Sequence, residues 1–309
     1  MHEGTIHERC AALRLLPVTL LDSLTAADMN AEELTHVLVE AFPYITYFQG
    51  KTIVIKLGGS AREEERGVLE DVAWLRKLRV NPVVVHGGGP TINGWLKRLD
   101  IPSRFEHGLR VTSAEAIDVI KMALIGGVNQ DLVALVNTMG VRAIGLSGID
   151  GQMIQCDFNR EYGDIGFVGE VRGVDPTPIH RLTEAGYIPI IAPIGYGPNG
   201  EAMNINADTA AADVAVALRA EKMIFLTDIV GILDQRQQLI ERVDIQALEG
   251  LIEDGVVSDG MIPKVKACVR AMAGVQQTHI IDGRVPHALI RELFTDRGVG
   301  TMIAHGSRL

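Results

Sequence analysis

Residues 83–90, VVVHGGGP, run three β-branched side chains into a histidine and then three consecutive glycines. β-Branched residues favour a strand, so the glycines mark where that strand ends. Glycine loses more backbone entropy on folding than any other residue, so three together need a reason. One reading is a sharp strand-to-helix turn. The other is a backbone nest, in which successive N–H groups converge on an anion that any Cβ would hold away.

The same pattern repeats outward from this turn. TIVIKLGG (52–59) reads as a strand, EERGVLEDVAWLRKL (64–78) as a helix, and PTINGWLKRL (90–99) as a helix. VRAIGLSG (141–148) and YIPIIAPIG (187–195) read as strands, ADTAAADVAVALRA (207–220) as a helix, and EKMIFLTDIVGIL (221–233) as a strand and turn. Strands apolar on both faces, alternating with helices, predict a mainly parallel sheet covered by helices. In such sheets ligands collect at the carboxyl ends of the strands, where KLGGS (56–60) and HGGGP (86–90) both fall. DFNREYGDIGFVGEVRGV (157–174) reads as a β-hairpin, and GYGPNGEAMN (195–204) has the composition of a lobe boundary.

Bulk properties narrow the function. At 309 residues the chain exceeds the usual single core. Its net charge of −10 argues against nucleic acid or an anionic membrane as a partner, so an anionic substrate needs locally placed cations and amides. Cys10, Cys156 and Cys268 are widely spaced and form no CxxC pair, which points away from disulfides and zinc and towards a reducing cytoplasm. No apolar run is expected to reach membrane-spanning length, and the N-terminal stretch that could pass for a signal segment is interrupted by Arg14 and Pro17.

Four residues stand out chemically. Lys56 ends an apolar strand, where an ammonium is either a snorkelling edge residue or functional. Gly58, Gly59 and Ser60 open a second bare turn beside it, yet neither a P-loop nor a dinucleotide fingerprint is present. Asp208 opens an Ala-rich helix, as an N-cap or a functional carboxylate. Lys264 follows Pro263 at a helix start, a poor place for a cation unless an anion sits there too. His86 reads as a hydrogen-bonding turn residue rather than an acid or base.

Taken together and in order, IVIKLGGS (53–60), NPVVVHGGGP (81–90), HGLRVT (107–112), MNINAD (203–208), LTDIVGIL (226–233) and SDGMIPKV (258–265) resemble the amino-acid kinase family. Within it they resemble the members that phosphorylate the side-chain carboxylate of N-acetyl-L-glutamate for arginine biosynthesis. The resemblance implies an open, mainly parallel αβα sandwich of two lobes, an amino-acid-binding lobe over 49–198 and an ATP-binding lobe over 199–309. It implies that Lys56 and Lys264 flank the transferring phosphoryl group and that Asp208 orients both. Gly88 and Gly89, with Gly87, would contact substrate or phosphate through their amides. Arg110 would clamp the α-carboxylate, and Asn204 the acetamido end. ATP would lie against Gly58, Gly59, Asp228, Gly231, Ile232, Leu233, Val256, Val257 and Ser258, with Mg²⁺ held by its phosphates and not by protein ligands. One departure is Ile149 in LSGID (146–150), where the family frequently has a lysine. Replacing Lys56 or Lys264 is expected to lower kcat by orders of magnitude with little effect on folding. A sibling kinase acting on a carrier-bound aminoadipate, carbamate or a nucleoside monophosphate remains open, as does a catalytically silent arginine or PII-type sensor.

Residues 1–48 read as an extension bearing an amphipathic helix. Asn30 and Glu33 have capping-box-like spacing, and Leu34, Val37, Leu38, Ala41, Phe42 and Ile45 form an apolar stripe. The stripe suits packing on the chain's own core or on a second copy. The C-terminal segment THIIDGRVPHALIRELFTDRGVGT (278–301) is similar to that of arginine-inhibited members. That resemblance implies an L-arginine pocket formed by Tyr44, His279, Glu292 and Gly298, a hexamer built as a trimer of dimers (otherwise a dimer), and a possible PII-type signalling partner.

Overall fold

The computed structural model describes residues 31–58, 62–253, 257, 261–295 and 298–306. Contacts divide the chain into two compact units, one ending at Thr46 and one beginning at Tyr47. The first contains most of helix α1 (Ala31–Phe48), which accommodates Pro43. Leu38 and Phe42 of the expected stripe are exposed, whereas Ala41 and Ile45 are partly covered. Asn30, the expected cap, lies outside the described residues.

The second unit begins with β1 (Thr52–Leu57), α2 (Arg62–Lys77), β2 (Asn81–His86) and α3 (Gly89–Arg98). A small hairpin, β3 (Phe105–Glu106) and β4 (Leu109–Arg110), precedes the long helix α4 (Ala114–Asn137). Next come β5 (Arg142–Ser147), β6 (Ile154–Phe158), β7 (Gly169–Val174), α5 (Thr177–Glu184), β8 (Tyr187–Ala192), β9 (Ile194–Tyr196) and β10 (Ala202–Asn204). The remainder is α6 (Ala207–Ala217), β11 (Lys222–Thr227), β12 (Arg242–Asp244), α7 (Ile245–Glu253), α8 (Ile262–Ala271), β13 (Gln277–Asp282), α9 (Ala288–Phe294) and β14 (Gly300–Ala304).

Eight strands form one sheet in the order β12-β14-β13-β11-β1-β2-β8-β5. Every pairing is parallel except β13 with β14. The apolar runs of β1, β2, β8, β11 and β13 are buried, as strands covered by helices must be. Residues 157–174 include the expected hairpin, β6 against β7 with a register shift at Gln155/Cys156. Residues 195–204 fall in a second hairpin, β9 against β10, and the four strands make a separate sheet.

Two packing features bring the site together. In α6, Ala210, Ala211, Ala212 and Ala215 are fully buried. Small side chains let the helix lie close to the sheet, so its N-terminus ends beside β1. Helix α8 is tied to α6 by Arg270, whose Nε donates to Asp213 Oδ1 at 2.6 Å and whose Nη1 donates to Glu170 Oε1 on β7 at 3.1 Å. A further tie joins α2 to α9. The fully buried Asp71 meets His287 Nδ1 at 2.6 Å and accepts the Leu289 N–H at 3.2 Å. Burial pushes the Asp71 carboxyl up to about 6.

Helix α4 qualifies the expectation that no apolar run reaches membrane-spanning length, by length and composition alone. Among the described residues it is the one helix long and apolar enough to cross a membrane. Its Ala116, Val119, Ile120, Ala123 and Leu124 instead pack with Ile92 and Leu96 of α3 and with Ala192 and Ile194. Residues Met122–Asn129 form a π-helical segment in its middle.

Candidate active site

Parallel pairing places the carboxyl ends of β1, β2 and β11 at one edge, with Leu57 opposite His86. Lys56 reaches across that edge to α6. Its Nζ lies 2.7 Å from Asp208 Oδ1, and the two side chains are only 10% and 9% exposed. Asp208 is not the N-cap of α6. That place belongs to Asn206, whose side-chain oxygen accepts the N–H groups of Asp208 at 2.8 Å and Thr209 at 3.1 Å. Asp208 is therefore free to hold the lysine, in a first turn where the helix dipole favours a negative charge.

The glycine turn, Arg110 and Asn204 come together around one cavity of about 200 Å³. Gly87, Gly88, Gly89, Phe105, Arg110 and Asn204 all line it. The Gly87 N–H bonds to the Leu57 carbonyl at 3.2 Å, which removes it from the amides available to a ligand. The first intrahelical bond of α3 runs from Ile92 N to Gly88 O, so the amides of Gly88, Gly89 and Thr91 precede it. Arg110 donates to Ser103 Oγ, and its guanidinium stacks over the Phe105 ring at 4.6 Å. Asn204 donates to Thr112 Oγ1 at 3.1 Å, and that hydroxyl donates to the Arg110 carbonyl at 2.8 Å.

None of these three glycines has a φ in the left-handed region, Gly88 standing at 167° in the extended range, so a left-handed turn does not explain them. A Cβ on Gly88 would stand 2.4 Å from Leu124 Cδ2, whereas one on Gly89 would meet nothing within 4 Å. Gly88→Ala is therefore expected to lower stability by about 1–3 kcal/mol, because the buried Leu124 must move. Gly89→Ala should leave the melting temperature unchanged and instead weaken substrate binding. Thermal denaturation of both variants tests this, and equal melting temperatures would refute the packing account.

The other expected residues are placed as follows. Lys264 is partly buried in the first turn of α8. Gly58 follows β1 directly, and Asp228 is exposed just past β11. Gly231 has φ +137°, and a Cβ there would meet Thr301 Oγ1 at 2.6 Å. The Ile232 N–H donates to that hydroxyl at 2.8 Å, and the Ile232 and Val257 side chains are core residues. Leu233 bridges to Leu239. Gly59, Val256 and Ser258 lie outside the described residues. Ile149 packs against the α3–α4 cluster.

His279, Glu292 and Gly298 also converge. His279 Nδ1 lies 2.6 Å from Glu292 Oε1, and Glu292 Oε2 accepts the Val299 N–H at 2.8 Å. A Cβ on Gly298 would come within 2.6 Å of that carboxylate. Burial disfavours the charged form of His279, while the pairing with His279 and the Val299 amide draws Glu292 below the usual carboxylate range against the opposing effect of its burial. Tyr44 lies on α1, in the first unit.

Sequence reasoning missed Ser103, Phe105 and the β3–β4 hairpin. The signal was His107–Gly108, two positive-φ residues between short strands, which is hairpin-turn chemistry.

The sequence pattern of the amino acid kinase family matches residues 51–282, about three quarters of the chain. The chain belongs to that family. Its curated relatives include acetylglutamate kinases from Thermosynechococcus vestitus, 51% identical over 89% of this chain and 95% of that protein, and Heliobacterium modesticaldum, 49% identical over 89% and 99%. Among solved structures, the N-acetylglutamate synthase of Neisseria gonorrhoeae in complex with coenzyme A and N-acetyl-glutamate superposes with a TM-score of 0.79 at 26% identity. It covers 88% of this chain, which spans 64% of the synthase. Carbamate kinase from Giardia lamblia shares the fold, with a TM-score of 0.62 at 16% identity over 83% of this chain and 99% of that one. An amino-acid-kinase fold thus accounts for the parallel sheet and for where the candidate residues gather.

Proposed function

We propose that this chain transfers the γ-phosphoryl group of ATP to the side-chain carboxylate of N-acetyl-L-glutamate. The supporting observation is one cavity lined by Arg110, Asn204 and a side-chain-free glycine turn, at the sheet edge that bears the Lys56–Asp208 pair. The names of its relatives, at about half identity over nearly their whole length, point to the same reaction. In this reading the substrate lobe spans 49–198 and the nucleotide lobe 199–309.

The chemistry needs little covalent help. A carboxylate is already ionised at pH 7, so no general base is required. What remains is to bring two anions together in line and to neutralise the charge spread over the transferring oxygens. Lys56 supplies one cation and Lys264 the other, with Asp208 holding Lys56 in its working geometry. Amides of Gly88 and Gly89 receive anionic oxygens, Arg110 clamps the α-carboxylate, and Asn204 meets the acetamido group. The adenine nucleotide lies against Gly58, Asp228, Gly231, Ile232, Leu233 and Val257. Mg²⁺ enters with ATP on its phosphates; among the described residues no group of three or more His, Cys, Asp and Glu could hold a metal ion.

An ATP-consumption assay with N-acetylglutamate, glutamate, aspartate and carbamate tests the assignment. Turnover confined to N-acetylglutamate is expected. Turnover with carbamate instead, or with none of the four, would overturn it.

The same reading extends to control by L-arginine, with His279, Glu292 and Gly298 forming a carboxylate-centred pocket and α1 helices joining dimers into a hexamer. A buried planar carboxylate suits a guanidinium. L-Arginine is expected to inhibit the full chain, and deletion of residues 1–45 or Glu292→Ala to relieve it, with thermal denaturation confirming that each variant folds. A dimer by sedimentation whose activity ignores millimolar arginine would sink this extension alone.

A further inference from the structure

Two buried polar side chains lie beside the glycine turn and have no part in the proposed binding or transfer: His86, read above as a hydrogen-bonding turn residue, and Asn129. His86 and Asn129 are each 1% exposed. His86 ends β2, and Asn129 ends the π-helical segment of α4. Neither lines the cavity.

Their hydrogen bonds admit one arrangement of protons. His86 Nδ1 lies 2.7 Å from the Gly87 carbonyl, which can only accept, so Nδ1 carries the proton. Nε2 lies 3.1 Å from the Asn129 Nδ2 amide, which can only donate, so Nε2 is bare. The orientation of that amide follows from Ile190, whose carbonyl oxygen lies 2.8 Å from the same Nδ2 and would repel an oxygen. Burial agrees, pushing the imidazole down to about 4 and keeping it neutral at physiological pH.

The surroundings are shaped for this chain of bonds. A Cβ on Gly145 of β5 would stand 1.9 Å from Asn129 Oδ1, so the strand is bare where the amide sits. π-Helical turns cost hydrogen-bond quality and occur mostly at functional sites. Here the π segment also presents Leu124 and Val128, the side chains packed against Gly88.

We propose that Asn129 and His86 are positioning residues: Asn129 selects the Nδ1–H tautomer of His86, which anchors the Gly87 carbonyl and so orients the Gly88 and Gly89 amides towards the anionic substrate. The inference rests on reading the cavity as the acetylglutamate site. The tautomer itself can be measured without substrate.

The experiment uses the full chain, ¹⁵N-labelled at histidine, with the His86 resonances identified by their loss in His86→Asn. The expected wild-type signal is a neutral Nδ1–H imidazole whose Nε2 stays bare down to pH 5. Asn129→Asp, which removes the donor and puts an acceptor beside Nε2, should move the proton to Nε2 or create an imidazolium. It should also lower kcat by about 10²-fold, the scale of a misplaced reacting group. A conservative pair gives a second readout and serves if Asn129→Asp does not fold. The amide of His86→Asn can reproduce the Nδ1–H donor, so this variant should keep at least tenfold more activity than His86→Gln, whose longer amide reproduces Nε2. An Nε2–H tautomer in the wild type, protonation above pH 6, a folded Asn129→Asp with unchanged kcat, or equal activity of the two His86 variants would overturn the proposal. A wild-type chain inert towards N-acetylglutamate but carrying the Nδ1–H tautomer would refute the substrate assignment, and with it the proposed purpose of the relay, but not the relay itself.

Discussion

Lys56→Ala is expected to lower kcat by about 10³-fold or more, the scale seen when a cation that stabilises transferring phosphoryl oxygens is removed. Nucleotide and acetylglutamate KM values should change far less, because the lysine acts mainly on charge that develops in the transition state. The structure revises the accompanying expectation that the fold would be indifferent. Lys56 is the partner of Asp208 at 2.7 Å, and both are buried. Its removal leaves a buried carboxylate without its cation, a change that typically costs about 3–5 kcal/mol. The double variant Lys56→Met, Asp208→Leu separates the two effects. Replacing both charges with apolar groups should restore most of the melting temperature and none of the turnover. Near-normal turnover of folded Lys56→Ala would refute the phosphoryl-transfer role. A melting temperature equal to wild type would show that the pair contributes nothing to the fold.

Arg110→Ala is expected to act on binding rather than on the chemical step. Truncating one member of a desolvated charge pair costs about 2–5 kcal/mol, so KM for N-acetylglutamate should rise by about 10²-fold or more while KM for ATP stays near its original value. Lysine at this position should rescue little, since an ammonium offers neither the bidentate fork nor the flat face that lies on Phe105. Steady-state kinetics in both substrates provides the measurement. An unchanged acetylglutamate KM in Arg110→Ala would move the α-carboxylate site elsewhere.

Much of the architecture was legible because it rests on local patterns. Apolar β-branched runs such as residues 52–57 and 81–86 can be buried on both faces only as central strands, and the helical stretches between them force parallel crossovers. Strand order was not legible. Nothing local tells β1 to pair with β11, more than 160 residues away, or makes β14 run against β13. The two-residue strands of the β3–β4 hairpin were too short for a periodic signal, so Phe105 and Ser103 escaped notice although they touch Arg110.

By itself the sequence determined which residue types stand at the strand ends: a lysine after an apolar run, bare glycine turns, an arginine, and Asn-x-Asn-x-Asp before an alanine-rich helix. Those choices depend on the backbone and solvation demands of each short segment and can be read locally. Only the tertiary structure decided how they are shared out. It made Asn206 the cap and left Asp208 for Lys56. It took the Gly87 amide into the sheet ladder and packed Gly88 under Leu124. It also carried Asn129 across to His86, 43 residues earlier in the chain. A buried donor or acceptor must find its partner wherever the packed elements place one, and that location is a property of the assembled layers rather than of any segment within them.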